Sequence, residues 1–426
     1  MTGSPPASGG AQGAETEPFT VTGPRSLRGT IRVPGDKSIS HRALLVAALA
    51  DGTSTVRGLS TGEDVAHTRA AVEAMGAEVS GDQVTGGDLH EPLGVVDVGN
   101  SGTGIRLLAG WCAARPWLTV LQGDRSVARR PMDRVVGPLR QMGADVDGRA
   151  DGRFPPLVVR GGGLKGIEYT LPVPSGQVKG ALLLAGLGAE GETVVLEPEP
   201  VRAHTEELLA LAGADLTVEP GRVAVRPSRL RPFELDVPGD PSQAAFWIVA
   251  ACITPGSEVV LEDVYLGPGR RGFLDVLLRM GADLDLSAGR ITARAGTLRA
   301  TDVRGSEVSG LIDEIPVLAV AASAAEGTTT FADAAELKVK ESDRVATTAA
   351  MLTALGARVE SRPDGIVVHG GGPLRGGQVD AAGDHRIAMA AAVAGLAAVG
   401  RTTIHGWQAV ATSYPGFEEV LATCAS

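Results

Sequence analysis

Six times along the chain a polar loop runs into a stretch of small apolar residues with no polar face: GDKSISHRALLVAALA, GNSGTGIRLLAGWCAA, PSGQVKGALLLAGL, GDPSQAAFWIVAACI, DEIPVLAVAASAA and GDHRIAMAAAVAGL. A helix that is apolar all round holds in water only when other elements cover every side. Six buried helices are therefore predicted. Each stretch is followed by a segment that reads as a strand, in order GTSTVRGL, PWLTVLQG, GETVVLEP, GSEVVLED, GTTTFADA and GRTTIHGW.

A second helical pattern, typified by TRAAVEAMGA and LDVLLRMGA, is amphipathic and ends on recurring letters. MGAEV begins at Met75, MGADV at Met142, AGADL at Ala212, MGADL at Met280 and LGARV at Leu355, at separations of 67, 70, 68 and 75 residues. The shared glycine sits where a helix ending in the left-handed conformation requires it. A sixth ending is expected at Cys424, 69 residues beyond Leu355, although its letters differ. About six amphipathic helices should thus cover the six buried ones. A unit of about 70 residues with two helices and several strands is too large for a propeller blade and lacks the alternation of an eightfold α/β barrel. VPGD at Val33–Asp36 recurs at Val237–Asp240, so two α/β domains of three units each are predicted.

Composition narrows the class. The 426 residues are 43% hydrophobic and 21% charged, which suits a globular chain of two or three domains. Glycine, at 58 residues, is about twice its usual share of roughly 7%, and aromatics are 3%, so packing must rely on close backbone approach. Residues 1–17, rich in Gly, Ser, Pro and Ala, read as a disordered tail without the charged and apolar regions of a signal peptide. Cys112, Cys252 and Cys424 lie far apart without CxxC spacing, which argues against a disulfide framework or thiolate zinc site and for a reducing cytoplasm. Apolar runs such as Ile387–Val399 stop near 13 residues, short of the ~20 that span a bilayer. A net charge of −11 without a basic aromatic stripe argues against nucleic-acid binding.

The polar loops carry the chemistry. A helix N-terminus presents unpaired N–H groups and about half a positive charge, so it favours anions. Gly99–Gly104 is built for such close approach, and Lys37, Ser38 and Arg42 add cations at the first buried helix, as Asp384, His385 and Arg386 do at the last. Known nucleotide motifs fail on spacing: Asp36 separates Gly35 from Lys37 in GDKS, and residues 99–104 are not GxGxxG. The seven histidines show no HExxH, and no GxSxG is present, so no metal or cofactor is implied. Lys338–Arg344 sets cations and acids before a helix, and Asp313-Glu314 abuts an apolar run; capping accounts for such acids as readily as function does.

Taken together and in order, GDKSISHRALL, GNSGTGIR, PSGQVKGALLLAGL, VRAHTEELL, KVKESDR and GDHRIAMA resemble the signature segments of the EPSP synthase family of enolpyruvyl transferases, over nearly the whole chain after residue 18. The resemblance implies two inside-out α/β domains of three units with the active site in the cleft between them. Residues 18–35 with 239–426 would form one domain and 36–238 the other, with hinge crossings near 33–36 and 237–240. It implies transfer of the enolpyruvyl group of phosphoenolpyruvate to the 5-hydroxyl of shikimate 3-phosphate, through a tetrahedral intermediate, by a cytoplasmic monomer. Ser38 and Arg42 would hold the shikimate carboxylate, and Ser175 and Lys340 its phosphate, with Gln177 beside the reacting centre. Lys37, Gly102, Arg125, Arg344 and Arg386 would bind phosphoenolpyruvate, with Asn100 lining the pocket and Gly102 leaving space for the inhibitor glyphosate. Glu341 would protonate the methylene carbon and Asp313 accept the hydroxyl proton, assisted by Lys37.

The chain departs from the family pattern at several positions. Gly176 stands where a second serine is frequent, Arg202 being the substitute in one branch; Thr412 stands where many members have lysine; Glu336 replaces an asparagine. The related UDP-N-acetylglucosamine 1-carboxyvinyltransferases differ at Ser38 and usually carry a cysteine in the loop Gly123–Ser126. A transferase using another hydroxy acid, or a non-catalytic repeat scaffold, are the remaining alternatives.

Overall fold

The structure, a computed structural model, describes residues 17–425, so the expected tail over residues 1–17 lies, apart from Glu17, outside the described residues. Twelve α-helices alternate in kind along the described chain: α1 (Lys37–Leu49), α2 (Glu63–Ala74), α3 (Gly102–Ala113), α4 (Asp133–Gln141), α5 (Gly176–Gly186), α6 (His204–Leu211), α7 (Pro241–Ile253), α8 (Gly272–Arg279), α9 (Ile315–Ala324), α10 (Arg344–Ala354), α11 (His385–Ala397) and α12 (Phe417–Cys424). The odd-numbered six are the predicted apolar helices and are buried nearly throughout, whereas the even-numbered six bury one side. The repeat glycines end the covering helices as expected: Gly76, Gly143, Gly213, Gly281 and Gly356 have φ between 76° and 103°, which a side chain would resist. The sixth covering helix ends at Cys424 without such a glycine.

Local capping sets where the buried helices begin. Asp36, Ser101, Ser175, Asp240 and Asp384 each accept a backbone N–H in the first turn of α1, α3, α5, α7 and α11. The α9 start has no side-chain cap, so neither Asp313 nor Glu314 serves as one. Small residues then permit close contact: a Cβ at Gly110 of α3 would lie 2.1 Å from the carbonyl oxygen of Ala181 in α5.

Six small sheets flank these helices, five of four strands and one of three. Every sheet contains one parallel pair. Apolar side chains gather into two separate cores, one from Val21–Val33 with Ala244–Cys424, the other from Ile39–Val237. The N-terminal strands Phe19–Gly23 and Arg28–Ile31 join sheets of the C-terminal half, while Glu234–Asp236 pairs in parallel with Gly52–Arg57. The chain therefore passes between cores at the two VPGD segments, and these bind each other. Asp36 N–H donates to the Pro238 carbonyl at 2.8 Å, and Asp240 N–H to that of Pro34 at 2.9 Å. The buried Arg270 clasps both aspartates, 2.8 Å from Asp36 and 2.6 Å from Asp240.

Candidate active site

A cleft of about 500 Å³ opens between the two cores. The N-terminal end of every buried helix contributes to its lining, through Lys37 and Ser38 (α1), Gly102 and Thr103 (α3), Ser175–Val178 (α5), Asp240 and Ser242 (α7), Ile312 and Asp313 (α9) and Arg386 (α11). Six helix dipoles thus direct positive potential to one space. Nine basic side chains line it, Lys37, Arg42, Arg106, Arg130, Arg134, Arg202, Arg270, Lys340 and Arg386, against seven acids, Asp64, Asp240, Glu199, Asp313, Asp333, Glu336 and Glu341. The cleft is locally cationic in a chain of net charge −11.

Two arginines on the wall built from 36–238, Arg42 and Arg106, are held by neutral oxygens. Arg42, 3% exposed, donates from Nε to Thr205 Oγ1 (2.7 Å) and from its two Nη atoms to the carbonyls of Ser38 and Gly176 (both 2.9 Å). Burial pulls its pKa down to about 10, against the partial support of the Glu206 carboxylate. Arg106 donates to the Gly102 and Pro131 carbonyls and to Gln177 Oε1 at 2.8 Å, while Gln177 Nε2 reaches Thr103 Oγ1 at 2.9 Å. Burial first, then Arg130 and Arg134, lower Arg106 to about 10. Lys37 instead pairs with an acid of its own wall, its Nζ lying 2.8 Å from Asp64.

The opposite wall carries the acids. Asp313 takes Lys340 at 3.2 Å, Arg344 at 3.2 Å and Arg202 at 2.9 Å, and its main-chain carbonyl accepts from Arg386 at 3.0 Å. Burial alone would raise its pKa, but Lys340, Arg386, Arg202 and Arg344 together hold it well below the carboxylate range. Glu341 is likewise depressed: burial opposes ionisation, and Arg130, 3.0 Å away, Arg344, His385 and Lys37 outweigh it. Three arginines of the first wall reach across to acids of the second, Arg130 to Glu341, Arg202 to Asp313 and Arg134 to Glu336.

Of the site residues expected from sequence, Lys37, Ser38, Arg42, Gly102, Ser175, Gln177, Arg202, Asp313, Lys340, Glu341 and Arg386 line the cleft. Three do not. Arg125 is exposed, because Asp124 caps the turn through the Ser126 and Val127 N–H groups and directs residue 125 outward. The short 3-10 helix Val127–Arg129 then brings Arg130, 7% exposed, into the cleft instead. Asn100 is drawn from the lining by a 2.7 Å hydrogen bond to Asp124. Arg344 lies behind the wall, 1% exposed, clamped on Asp384 at 2.8 Å and bonded to Asp313 and Glu341.

Arg106, Arg130, Arg134 and Arg270 were not anticipated. Arg106 was detectable, since it falls one helical turn after Gly102 and shares its face. Of the departures, Thr412 donates to the Ala409 carbonyl and meets His385 Nδ1 at 3.2 Å, so it supplies no cation. Gly176 faces Arg202, whose Cβ a Gly176 side chain would meet at 3.5 Å. Glu336 is occupied by Arg134, at 2.6 and 2.9 Å.

This fold, two bodies of helix and small sheet around a cationic cleft, is shared by an enolpyruvyl transferase of Streptomyces tendae, NikO, at a TM-score of 0.78 and 21% identity, over 96% of this chain and 98% of that one. The particular family is narrower. A family model for EPSP synthase (3-phosphoshikimate 1-carboxyvinyltransferase) matches residues 21–421, and the chain belongs to that family. The 3-phosphoshikimate 1-carboxyvinyltransferase of Bacillus thuringiensis subsp. konkukian is 48% identical over 412 residues, 93% of this chain and 96% of that protein. An EPSP synthase of Acinetobacter baumannii superposes with a TM-score of 0.84 at 41% identity, covering 96% of this chain and 98% of the other.

Proposed function

We propose that this chain transfers the enolpyruvyl group of phosphoenolpyruvate to the 5-hydroxyl of shikimate 3-phosphate, releasing phosphate, as a step of aromatic amino acid biosynthesis. The observation that carries this reading is the meeting, in one cleft, of six helix N-termini, nine basic side chains and two deeply paired carboxylates, Asp313 and Glu341. Two phosphorylated carboxylates bring four anionic groups, and this cleft offers cations for each.

The acceptor's carboxylate goes to Arg42 and Ser38, and its phosphate to Ser175, Arg202 and Lys340. Phosphoenolpyruvate takes Lys37, Arg130 and Arg386 around Gly102, with Gln177, held by Arg106, beside the reacting carbon. Arg344 acts from behind by orienting Asp313 and Glu341. Glyphosate, also an anion, competes for these cations beside Gly102, where a Cβ would lie 2.3 Å from Arg130 Nη1.

Bond making follows from the acids. Asp313 accepts the proton of the 5-hydroxyl as its oxygen bonds to C2 of phosphoenolpyruvate, and Glu341 delivers a proton to C3. The resulting tetrahedral intermediate then returns a C3 proton to Glu341 as the C2–O bond to phosphate breaks and the C2–C3 double bond re-forms. The surrounding cations hold both acids ionised. Substrate anions draw Arg130, Arg202 and Lys340 away, and with that support weakened both pKa values rise toward the range needed for proton exchange. The two cores act as domains, 18–35 with 239–426 and 36–238, moving about the paired VPGD segments. Buried Cys112, Cys252 and Cys424 are unpaired, which suits a reducing cytoplasm. Among the described residues no helix is long and apolar enough to cross a membrane.

Phosphate release from phosphoenolpyruvate tests the reading. Release is expected with shikimate 3-phosphate but not with UDP-N-acetylglucosamine, and Glu341→Gln should lower it by about 10²–10⁴-fold. Release with UDP-N-acetylglucosamine alone, or undiminished turnover in the variant, would overturn it.

A further inference from the structure

Arg42 is a buried guanidinium with no carboxylate partner among the described residues, since its three hydrogen bonds end on Thr205 Oγ1 and on two main-chain carbonyls. A guanidinium carries five N–H donors. Three are taken, which leaves one on each Nη atom, the pair that grips a carboxylate through two parallel hydrogen bonds.

The two carbonyls tether the Nη atoms singly and leave the plane free to pivot about them. The Nε bond to Thr205, at 2.7 Å the shortest of the three, holds the opposite edge. Thr205 is itself fixed: it is 1% exposed, in the first turn of α6, and is followed by Glu206, which grips the buried Lys179 of α5 at 2.5 Å. Lys179 also binds Glu197 at 2.8 Å. Space has been left for the pair as well, because a Cβ at Gly180 would lie 2.7 Å from Thr205 Oγ1 and 3.4 Å from an Arg42 Nη atom.

We infer that Thr205 is a positioning residue that locks the Arg42 fork in the orientation that recognises the acceptor's carboxylate. The inference rests on the proposed assignment of that carboxylate to Arg42. It predicts that the Thr205 hydroxyl acts on acceptor binding through Arg42 and leaves phosphoenolpyruvate binding and the chemical step alone.

The test uses the full chain and two acceptors, shikimate 3-phosphate and its analogue with hydroxymethyl in place of carboxylate. Thr205→Val keeps the shape and removes the acceptor oxygen, and Thr205→Ser restores it. Loss of a buried hydrogen bond to a charged group weakens binding by about ten- to a hundredfold. In Thr205→Val, KM for shikimate 3-phosphate is expected to rise by about that factor, with kcat and KM for phosphoenolpyruvate within about threefold of the parent. Thr205→Ser should recover most of the loss. With the hydroxymethyl analogue, Thr205→Val and the parent should behave alike, because the interaction at stake is absent.

A parent enzyme indifferent to loss of the acceptor carboxylate would refute the Arg42 assignment. A parent that needs the carboxylate, beside a Thr205→Val enzyme with unchanged KM, or one equally impaired on both acceptors, would refute the positioning role alone. Should Thr205→Val not fold, Thr205→Ala carries the same comparison, with thermal unfolding as the control.

Discussion

The two walls of the cleft hold their charges in opposite ways. On the 36–238 wall, Arg42 and Arg106 are buried on neutral oxygens with no carboxylate bonded to them, so each keeps its charge and the directions it can still donate in. On the other wall, Asp313 and Glu341 sit among so many cations that they are fixed as anions. Binding needs rigid donors that lose little entropy on meeting an anion. Proton transfer needs acids whose affinity for a proton changes as substrate arrives. The arginines that cross the cleft, Arg130, Arg134 and Arg202, are where the two requirements meet.

The largest effect that separates the walls is expected at Arg130. Arg130→Gln removes the Glu341 partner and, on the proposed assignment, a phosphoenolpyruvate donor, and should raise KM for phosphoenolpyruvate about ten- to a hundredfold. Arg125→Gln should stay within about twofold. Steady-state kinetics of the pair decide it, and equal losses would contradict the inward placement of Arg130.

A stability test of intermediate size concerns the histidines packed behind both walls. His41, His204 and His385 are held well below the ordinary histidine range, by burial first and then by nearby cations such as Lys37 and Arg42. Below about pH 6.5 the unfolded chain binds protons that these native residues refuse, so stability declines as pH falls, by up to about 1.4 kcal/mol per pH unit for each histidine. Asp313 and Glu341 add to this at lower pH, since their pairing stabilises the fold above their ordinary values and is lost as pH drops through the depressed ones. Urea midpoints from pH 7.5 to 5.5 should fall; a flat profile would show that the histidines titrate freely.

The smallest effect belongs to the outermost crossing. Arg134 and Glu336 are 36% and 47% exposed, so their pair contributes no more than about 0.2–1 kcal/mol to holding the two walls together. Glu336→Gln should change either KM by less than about fivefold, and high salt should erase the change. A larger effect that persists in high salt would move this pair into the binding site proper.

Much of the architecture was legible because it is local. An apolar stretch without a polar face has to be buried, an aspartate or serine before it caps it, and glycine after MGAD-like letters ends its neighbour, as Asp36, Ser101 and Gly143 each do within a few residues. Asp343 shows the same locality, capping α10 as its place in the charged run implied. The positions that line the cleft at helix starts, Lys37, Gly102, Gln177 and Arg386, followed from that grammar together with the family resemblance.

The chain by itself thus determined the repeat, the two kinds of helix and the anion-seeking helix starts, all governed by neighbours a few residues away. Tertiary structure alone decided that Arg344 stands behind the wall, clamped on Asp384, and that Arg134 finds Glu336 at a separation of 202 residues. The reason is physical: the partner of a charged side chain depends on how distant segments of one core, or the two separately packed cores, are set against each other, and no periodicity along the chain encodes that placement.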